Sequence, residues 1–455
     1  MIKFLPLGGA DEIGASCYYL DIDGTGILLD CGIHPQKKGY DSLPDFSQLS
    51  NFNLDFVIIS HAHQDHIGAL PFLIKTFPHV KIIATPQTIE VARLTLHNAV
   101  HIIKGQISDV ENFPAYTHEE VDLLLRSVNE LGYGIQYSFS GMRSEKAEPI
   151  KLTFYDAGHI IGSASILLEY LDERIFYTGD IKLSKQTLLA GATLPEQRIT
   201  TLITETTYGS TDTKLIGNLQ TEISRFVKEA NAILGAGGSI LIPVFALGKM
   251  QEIISIVSKE ISKGRLTEVP IYSGGIGNLI SRIYDSNRYK VNYVNPNYEL
   301  SDIKTNSYFD IVDLSKFQKN PSIVIASSGM ILENTTSFKF ARFWLKQKLF
   351  SIFIVGYMDP TSFGYKIAQS SFGDSININE DEVVEIRCSI HKFFFPTHSK
   401  REEIIKIVEQ LNPSNVILIH GEDDSKNWVG DKILEFNSTA KVYSASKYNW
   451  IMLRK

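Results

Sequence analysis

The stretch VIISHAHQDHIGALP, residues 57–71, decides how the rest of this chain is organised. Its β-branched start predicts a buried strand, and the run after the last histidine predicts a helix. Between them, three histidines and one aspartate stand within six residues: His61, His63, Asp65 and His66. Imidazole nitrogen and carboxylate oxygen are the ligands that zinc-type ions take from proteins. The corner therefore predicts a metal site able to serve two ions, against the alternative of a solvated polar loop.

The composition is that of a globular protein with an ample core. At 455 residues the chain is longer than one core comfortably supports, so two domains or a large insertion are expected. The net charge of -7 argues against a protein that coats nucleic acid non-specifically, although it leaves room for a locally basic groove. Cys17, Cys31 and Cys388 form no CxxC pair, which indicates small core residues in a reducing compartment.

The amino-terminal segment MIKFLPLGGADEIG contains no signal-length apolar run. No segment of the sequence reaches the length needed to span a bilayer. A cytoplasmic protein without membrane association is the expectation.

In the first half of the chain, several predicted strands end in a short turn that contains a glycine and a polar residue. Asp30 closes one strand in LLDCG, His159 follows another in DAGH, and Asp180 ends YTGD. The region 106–143 is expected to be mostly helical. From Leu202 onward, strands alternate with amphipathic helices, which predicts an inserted parallel α/β block. A late strand then ends at His420 in HGE, so the last sixty or so residues are expected to rejoin the first sheet.

The cluster HAHQDH with Asp30, His159, Asp180 and His420 resembles the metallo-β-lactamase superfamily. The motifs ITETTYG, LIPVFALGKMQEI, ASSGM and VILIHGE are similar to those of its β-CASP branch. That branch includes the endonuclease that cuts pre-messenger RNA before polyadenylation, and ribonuclease J. The resemblance implies an α/β fold: a metallo-β-lactamase αβ/βα sandwich with an inserted α/β β-CASP cap domain. It assigns residues 1–204 to the first part of the metallo-β-lactamase domain, 205–380 to the cap and 381–455 to the return segment.

The resemblance also implies a cofactor of two Zn²⁺ ions and a set of ligands. One ion would be held by His61, His63 and His159. The other would be held by Asp65, His66 and His420. Asp180 would bridge the two ions, and Asp30 would steady the histidine turn through hydrogen bonds.

Three residues are expected to be catalytic by the same resemblance: Asp65, Glu205 and His398. Glu205 matches the acidic motif that begins the cap. For its partner, His398 is preferred to His391 because one helix separates it from the HGE strand, as in relatives. The family usually shows a Ser-Ala-His-Ala-Asp type of sequence there, whereas this chain has Thr397 and Ser399 beside the histidine and lacks the aspartate.

The activity implied is hydrolysis of single-stranded RNA in processing or decay, through a hydroxide activated by both metals. Ser328 and Gly329 follow a strand where a helix is expected to start, so they could cradle a phosphate, or Ser328 could simply cap the helix. Lys249 stands where relatives commonly carry Arg and could contact a phosphate as a point charge.

Two alternatives remain at the level of the sequence: a DNA-directed β-CASP nuclease and a non-catalytic RNA-processing scaffold. A hydrolase of small thioesters or lactams is disfavoured because a small substrate needs no large cap. The sequence does not determine whether cleavage is endonucleolytic or proceeds from the 5′ end, nor the sequence preference. It also leaves the oligomeric state open, with a homodimer as one option. His97 and His101, four apart on a predicted helix, have metal-like spacing but no acidic motif, so a structural or solvated role is expected.

Overall fold

The computed structural model describes residues 1–106, 113, 115–142, 148–215, 217–378 and 382–454. The strands are β1 (Ile2–Gly8), β2 (Cys17–Ile22), β3 (Thr25–Leu29), β4 (Phe56–Ile58), β5 (Lys81–Ala84), β6 (Asn129–Glu130), β7 (Gln136–Phe139), β8 (Ile150–Asp156), β9 (Ala164–Tyr170), β10 (Glu173–Tyr177), β11 (Thr201–Glu205), β12 (Ile240–Pro243), β13 (Ile271–Ser273), β14 (Asn306–Ser307), β15 (Ile323–Ala326), β16 (Ser351–Ile354), β17 (Ser375–Asn377), β18 (Val383–Glu385), β19 (Ser389–Lys392), β20 (Asn415–Ile419), β21 (Lys441–Ser444) and β22 (Ile451–Arg454). The helices are α1 (Gln64–Ile67), α2 (Leu70–Thr76), α3 (Pro86–Gln106), α4 (His118–Arg126), α5 (Leu219–Gly235), α6 (Lys249–Ser262), α7 (Ile276–Asn287), α8 (Lys316–Lys319), α9 (Thr336–Trp344), α10 (Phe363–Gln369), α11 (Arg401–Leu411) and α12 (Asp423–Phe436).

Two seven-stranded sheets pack face to face and form the first half of the molecule. Their strand orders are β22-β1-β2-β3-β4-β5-β6 and β21-β20-β11-β10-β9-β8-β7. Alternate side chains of the two sheets meet in one core, in which Phe4 and Ile58 of the first sheet join Phe154 and Ile203 of the second. Helices α2, α3 and α4 cover the outer face of one sheet, and α11 and α12 cover the other. The result is a four-layer αβ/βα sandwich.

A third sheet of six strands forms a cap above the sandwich. Its order is β14-β13-β15-β12-β16-β19, and every neighbouring pair is parallel. Parallel neighbours need crossover connections, which α6 and α9 supply here, so both faces are covered by helices. Phe226 and Ile253 pack on one face, and Phe340 and Trp344 pack on the other. This confirms the predicted fold class of a sandwich with an inserted α/β cap.

The chain passes between the two units at β11 and β19. β11 pairs with β20 in the second sandwich sheet, whereas β19 still pairs with β16 in the cap sheet. The last cap strand therefore lies beyond the predicted return at residue 381, and residues 379–381 at that boundary lie outside the described residues. The division into 1–204, 205–380 and 381–455 stays a proposal.

The prediction that residues 106–143 are mostly helical is wrong for the described residues that follow α4. Residues 129–130 and 136–139 form β6 and β7, the edge strands of the two sandwich sheets. β7 has the sequence QYSF, which alternates polar and aromatic residues, but the run is only four residues long and three of the four are exposed. Residues 107–112, 114 and 143 of that region lie outside the described residues.

The strand directions bring the ends of several strands to one edge below the cap. β3 and β4 run parallel, and β10, β11 and β20 run parallel in the other sheet. Because carboxyl ends of parallel strands meet at the same edge, the residues that follow them converge. No helix among the described residues is both long and apolar enough to cross a membrane.

Candidate metal centre and active site

Three imidazoles and one carboxylate meet at this edge. His61 follows β4, His159 follows β8 and Asp180 follows β10. His61 Nε2 and His159 Nε2 each lie 3.1 Å from His63 Nδ1. Asp180 Oδ2 lies 3.4 Å from His61 Nε2 and 3.6 Å from His159 Nε2. Such separations are close to the distance of about 3.3 Å between neighbouring ligands of a tetrahedral ion with bonds of 2.0–2.1 Å.

A second set of ligand atoms shares Asp180 with the first. Asp180 Oδ1 lies 3.2 Å from His66 Nε2 and 3.5 Å from His420 Nδ1. Asp65 Oδ2 lies 3.8 Å from His66 Nε2 and 3.5 Å from His420 Nε2. The two oxygens of Asp180 therefore face different sets of imidazoles. All seven predicted metal ligands come together in this cleft, in the two groups expected from the sequence.

Each imidazole has one ring nitrogen that faces the cluster and one that faces away from it. If the outer nitrogen donates a hydrogen bond, the inner nitrogen keeps its lone pair and can bind a metal ion. His61 Nδ1 lies 2.9 Å from Ser60 Oγ, whose own proton goes to Asp30, so His61 Nδ1 donates and Nε2 keeps its lone pair. His159 Nδ1 donates to the Thr397 carbonyl at 2.8 Å, with the same consequence for its Nε2. His63 Nε2 faces the Leu247 carbonyl at 3.5 Å. Because a carbonyl only accepts, Nε2 carries the proton and Nδ1 keeps the lone pair.

Three lone pairs therefore face one another across 3.1 Å contacts. These contacts cannot be hydrogen bonds, and the nitrogens repel one another unless a cation lies between them. In the second set, Asp180 Oδ1 and His420 Nε2 are buried and have no hydrogen-bond partner among the described residues. Buried polar atoms of this kind call for a partner such as an ion. The residues present fit divalent metal binding.

Asp30 accepts hydrogen bonds from the segment that carries the histidines. Its backbone adopts the left-handed conformation at φ 60°, which turns the side chain toward the cluster. Oδ1 accepts a hydrogen bond from Ser60 N at 2.6 Å, and Oδ2 accepts from His66 Nδ1 at 2.7 Å and Tyr177 Oη at 2.5 Å. Such an outer carboxylate sets the orientation and tautomer of the ligand histidine. The position beside β3 could be read from LLDCG, but the Tyr177 contact joins distant segments and was missed.

The pKa values of the histidines shift in opposite directions in the two sets of ligands. Burial lowers the pKa of His61 and takes the pKa of His63 to about 3, so these imidazoles are neutral. Burial also acts to lower the pKa of His66, but Asp180, Asp65 and Asp30 outweigh it and raise that pKa well above its usual value. The negative surroundings that favour a proton on His66 equally favour a metal cation beside it.

His398 lies next to the cluster and contacts Glu205, the last residue of β11. Its Nδ1 is 3.1 Å from Glu205 Oε2 and 3.9 Å from Asp180 Oδ2, and its ring centre is 4.6 Å from that of His159. Burial acts to lower the pKa of His398, but Glu205 and Asp180 raise it above the usual value. His391 instead lies on β19, 3.9 Å from Glu229. The structure thus brings His398, and not His391, to Glu205.

The segment around His398 also positions a ligand histidine and the loop after β10, which was not predicted from the sequence. The Thr397 carbonyl accepts the hydrogen bond from His159 described above. Ser399 N donates to the Ile181 carbonyl at 2.6 Å, and Ser399 Oγ accepts from Leu183 N at 2.9 Å. These bonds fix the segment against the loop that carries Asp180. A backbone acceptor leaves no signal in the sequence, because any residue type at 397 supplies it.

The predicted substrate-binding residues are placed differently from expectation. No helix begins at Ser328: the next helix is α9, capped by the Thr335 side chain. Ser328 Oγ accepts from Leu332 N at 3.2 Å, so it stabilises a turn, and Gly329 packs against Phe245. Lys249 is buried, and its ammonium donates to the Phe395 carbonyl. Its side chain is therefore withdrawn from solvent, where a phosphate contact was expected.

A four-layer sandwich with a histidine–aspartate cluster beneath an inserted parallel cap defines a protein of the metallo-β-lactamase class. Residues 19–208 match the metallo-beta-lactamase superfamily domain, 250–367 the Beta-Casp domain, and 383–443 the Zn-dependent metallo-hydrolase RNA specificity domain. The chain is 30% identical to the RNase J-like protein of Methanocaldococcus jannaschii, with 91% of each chain covered. The chain belongs to the β-CASP family of the metallo-β-lactamase superfamily, which confirms the resemblance seen in the motifs.

Two longer relatives extend the comparison to eukaryotes. The chain is 29% identical to endoribonuclease YSH1 of Candida glabrata over 92% of its length, and 29% identical to an Integrator complex subunit 11 homolog of Dictyostelium discoideum over 98%. It spans 55% and 60% of those relatives' lengths. A solved structure of a protein of unknown function from Enterococcus faecalis V583 covers 99% of both chains with a TM-score of 0.56 at 13% identity. That likeness concerns the fold alone.

Proposed function

We propose that this protein is a metal-dependent ribonuclease that hydrolyses phosphodiester bonds of single-stranded RNA. The observation that carries the proposal is the position of Asp180, whose two oxygens face two sets of imidazoles while Glu205 and His398 stand beside it. A metal cluster with an adjacent acid–base pair suits phosphoryl chemistry. The relatives named as endoribonucleases, and the match to an RNA specificity domain, support RNA as the substrate.

The metal ions in this proposal are two Zn²⁺. His61, His63 and His159 would hold one ion, Asp65, His66 and His420 would hold the other, and Asp180 would bridge them. When bound, two such ions generate a nucleophile at neutral pH and neutralise charge on the phosphate oxygens. The chain's own contribution is orientation, because Ser60, Asp30 and Thr397 hold the outer nitrogens of three ligand histidines.

His398 is proposed to act as the general acid. Its Nδ1 is held by Glu205, which leaves Nε2 free to give a proton to the leaving 3′ oxygen of the substrate. Glu205 is itself fixed, since Oε1 accepts from Ile181 N at 2.8 Å and Oε2 accepts from the Thr207 hydroxyl. The carboxylate therefore stabilises the protonated imidazole that proton donation requires. Asp65 is assigned to the metal and to holding the attacking water.

The proposal is tested with single-stranded RNA and DNA of one sequence, labelled at the 5′ or the 3′ end. We expect the zinc-loaded protein to cleave the RNA, and a chelator to abolish the cleavage. The product ladders also distinguish internal cleavage from trimming at the 5′ end. A matched variant, Asp180→Asn, should lose activity because it lacks the shared carboxylate.

Cleavage of DNA in preference to RNA would replace the proposal by the DNA-directed alternative. Binding of RNA without cleavage, at full metal content, would replace it by the scaffold alternative. Equal activity of the parent and Asp180→Asn would show a contaminating nuclease.

A further inference from the structure

A buried lysine lies two residues beyond Asp180 and outside the proposed ligand set. The side chain of Lys182 is only 4% exposed, and its ammonium lies 2.8 Å from Glu403 Oε2 on the first turn of α11. A buried ammonium is costly to desolvate, and apolar side chains of similar volume often replace such a pair without loss of stability. The pair therefore calls for a reason other than stability.

The backbone of Lys182 is held by the loop that leads to His159. Lys182 N donates to the Ala157 carbonyl at 2.9 Å, and the Lys182 carbonyl accepts from Ala192 N at 2.8 Å. Ala157 directly follows β8 and stands two residues before His159. The lysine backbone is thus fixed against the sandwich, and its ammonium reaches from there to α11.

Glu403 connects this lysine to the chain that carries His398. Its Oε2 also accepts a hydrogen bond from Lys400 N at 2.8 Å. Lys400 is the N-cap residue of α11 and stands two residues after His398. A glutamate at the third helical position commonly reaches back to the N-cap N–H in this way. One carboxylate oxygen therefore receives both the Lys182 ammonium and the backbone of the His398 segment, residues 397–400.

The neighbours of Lys182 on both sides bind the same segment. Ile181 and Leu183 make the two hydrogen bonds to Ser399 described above. Ile181 N also donates to Glu205 Oε1 at 2.8 Å, and Glu205 holds the ring of His398. Three consecutive residues after Asp180 thus hold the His398 segment, two through the backbone and one through the ion pair.

We propose that Lys182 and Glu403 are positioning residues for His398, which fix its imidazole relative to Asp180. The inference rests on the proposed function, in which His398 protonates the leaving oxygen. The pair acts through the backbone on the carboxyl-terminal side of the histidine. Misplacement of a reacting group by about 1 Å can cost about 10²-fold in rate, so a small shift of this segment matters.

The main test is the paired variant Lys182→Met/Glu403→Leu. It replaces both charges by apolar side chains of similar size, so it should melt at or above the temperature of the parent. We expect kcat for RNA cleavage to fall by about 10- to 100-fold, with KM and metal content unchanged. In a His398→Ala background, the same replacement should cause no further loss of kcat, because residues that act through one group are not additive.

RNA whose leaving 3′ oxygen is replaced by sulfur isolates the proton transfer. A thiolate leaves without a proton, so a misplaced acid should not slow this reaction. The parent and the paired variant should therefore cleave the sulfur-containing RNA at rates within about threefold of each other. Hydrogen exchange gives a readout besides activity: the amides of residues 397–400 should exchange faster in the paired variant, with the rest of the protein unchanged.

Glu402→Gln and Glu403→Gln form a matched pair of single variants. Glu402 stands on the same turn but contacts Thr213 and Arg401. Glu403→Gln should lower kcat, whereas Glu402→Gln should keep that of the parent. If circular dichroism shows that the paired variant is unfolded, Glu403→Gln is carried through the same comparisons.

With an active parent, four results would each overturn the positioning role alone. These are a kcat of the folded paired variant within about threefold of the parent, an equal loss on the sulfur-containing RNA, a further loss in the His398→Ala background, and a loss of metal. A parent that cleaves neither RNA would instead remove the proposed function, and this inference with it.

Discussion

The two walls of the cleft differ in what they offer to a reaction. The sandwich wall carries buried imidazoles and carboxylates whose outer atoms are held by Ser60, Asp30 and Thr397. The cap wall touches the cluster through the Leu247 carbonyl, and the ammonium of Lys249 turns to a backbone carbonyl. The side chains proposed to do the chemistry therefore lie on the sandwich wall, while the cap closes the cleft and contributes backbone carbonyl groups.

The pair of His398 and Glu205 gives the largest expected effect. His398→Ala should lower kcat for RNA cleavage by about 10²- to 10⁴-fold at unchanged metal content, because the leaving oxygen loses its proton donor. Since Glu205 raises the pKa of His398, Glu205→Gln should lower that pKa and move the alkaline limb of the pH–rate profile to lower pH. Steady-state cleavage across pH measures both effects.

His391→Ala is the control for this pair, since His391 lies on β19 away from the cluster. A kcat of His398→Ala within about threefold of the parent would contradict general acid catalysis, for which losses of about 10²-fold or more are expected.

An intermediate effect is expected at Asp30, behind the ligands. Asp30→Asn should weaken metal binding by about 10- to 100-fold, because the amide cannot accept from His66, Ser60 and Tyr177 together. Competition with a chelator measures the affinity. Asp55→Asn is a suitable control, because Asp55 is also buried and accepts a hydrogen bond from Gly26 N at 3.0 Å. Equal metal affinity in Asp30→Asn and the parent would assign Asp30 to folding alone.

The smallest effect on activity is expected in the cap, at Lys249. Lys249→Met should change cleavage by less than about threefold, since a buried cation replaced by an apolar side chain of similar volume is often tolerated. A loss of RNA affinity with an intact fold would instead restore the predicted phosphate contact and weaken the contrast between the walls.

The pH dependence of stability gives a second readout at Lys249. Burial lowers its pKa to about 8, below the value of about 10.4 in an unfolded chain. Between these values the unfolded state binds the additional proton, so the parent gains stability as pH rises, by up to about 3 kcal/mol. Lys249→Met should lack this gain in denaturant titrations at pH 8 and pH 10.

Several parts of the site follow from local sequence alone. His61, His63, Asp65 and His66 are neighbours in one strand-to-helix corner, so their proximity needs no knowledge of the fold. The α/β alternation after Leu202 likewise indicates a parallel cap, because periodicity is a local property. The edge strands β6 and β7 were not predicted, since runs of two and four mostly exposed residues depend more on a partner strand than on their own pattern.

The sequence by itself determined the family, the ligand types and the strand–ligand corners, because these are carried by residue identity and spacing. Only the tertiary structure decided that His398 and not His391 meets Glu205, that Thr397 orients His159, and that Lys249 is withdrawn from solvent. The physical reason is that these contacts depend on strand pairing and burial between segments far apart in the chain. No local preference encodes them, and they form only when the sheets and the cap have packed.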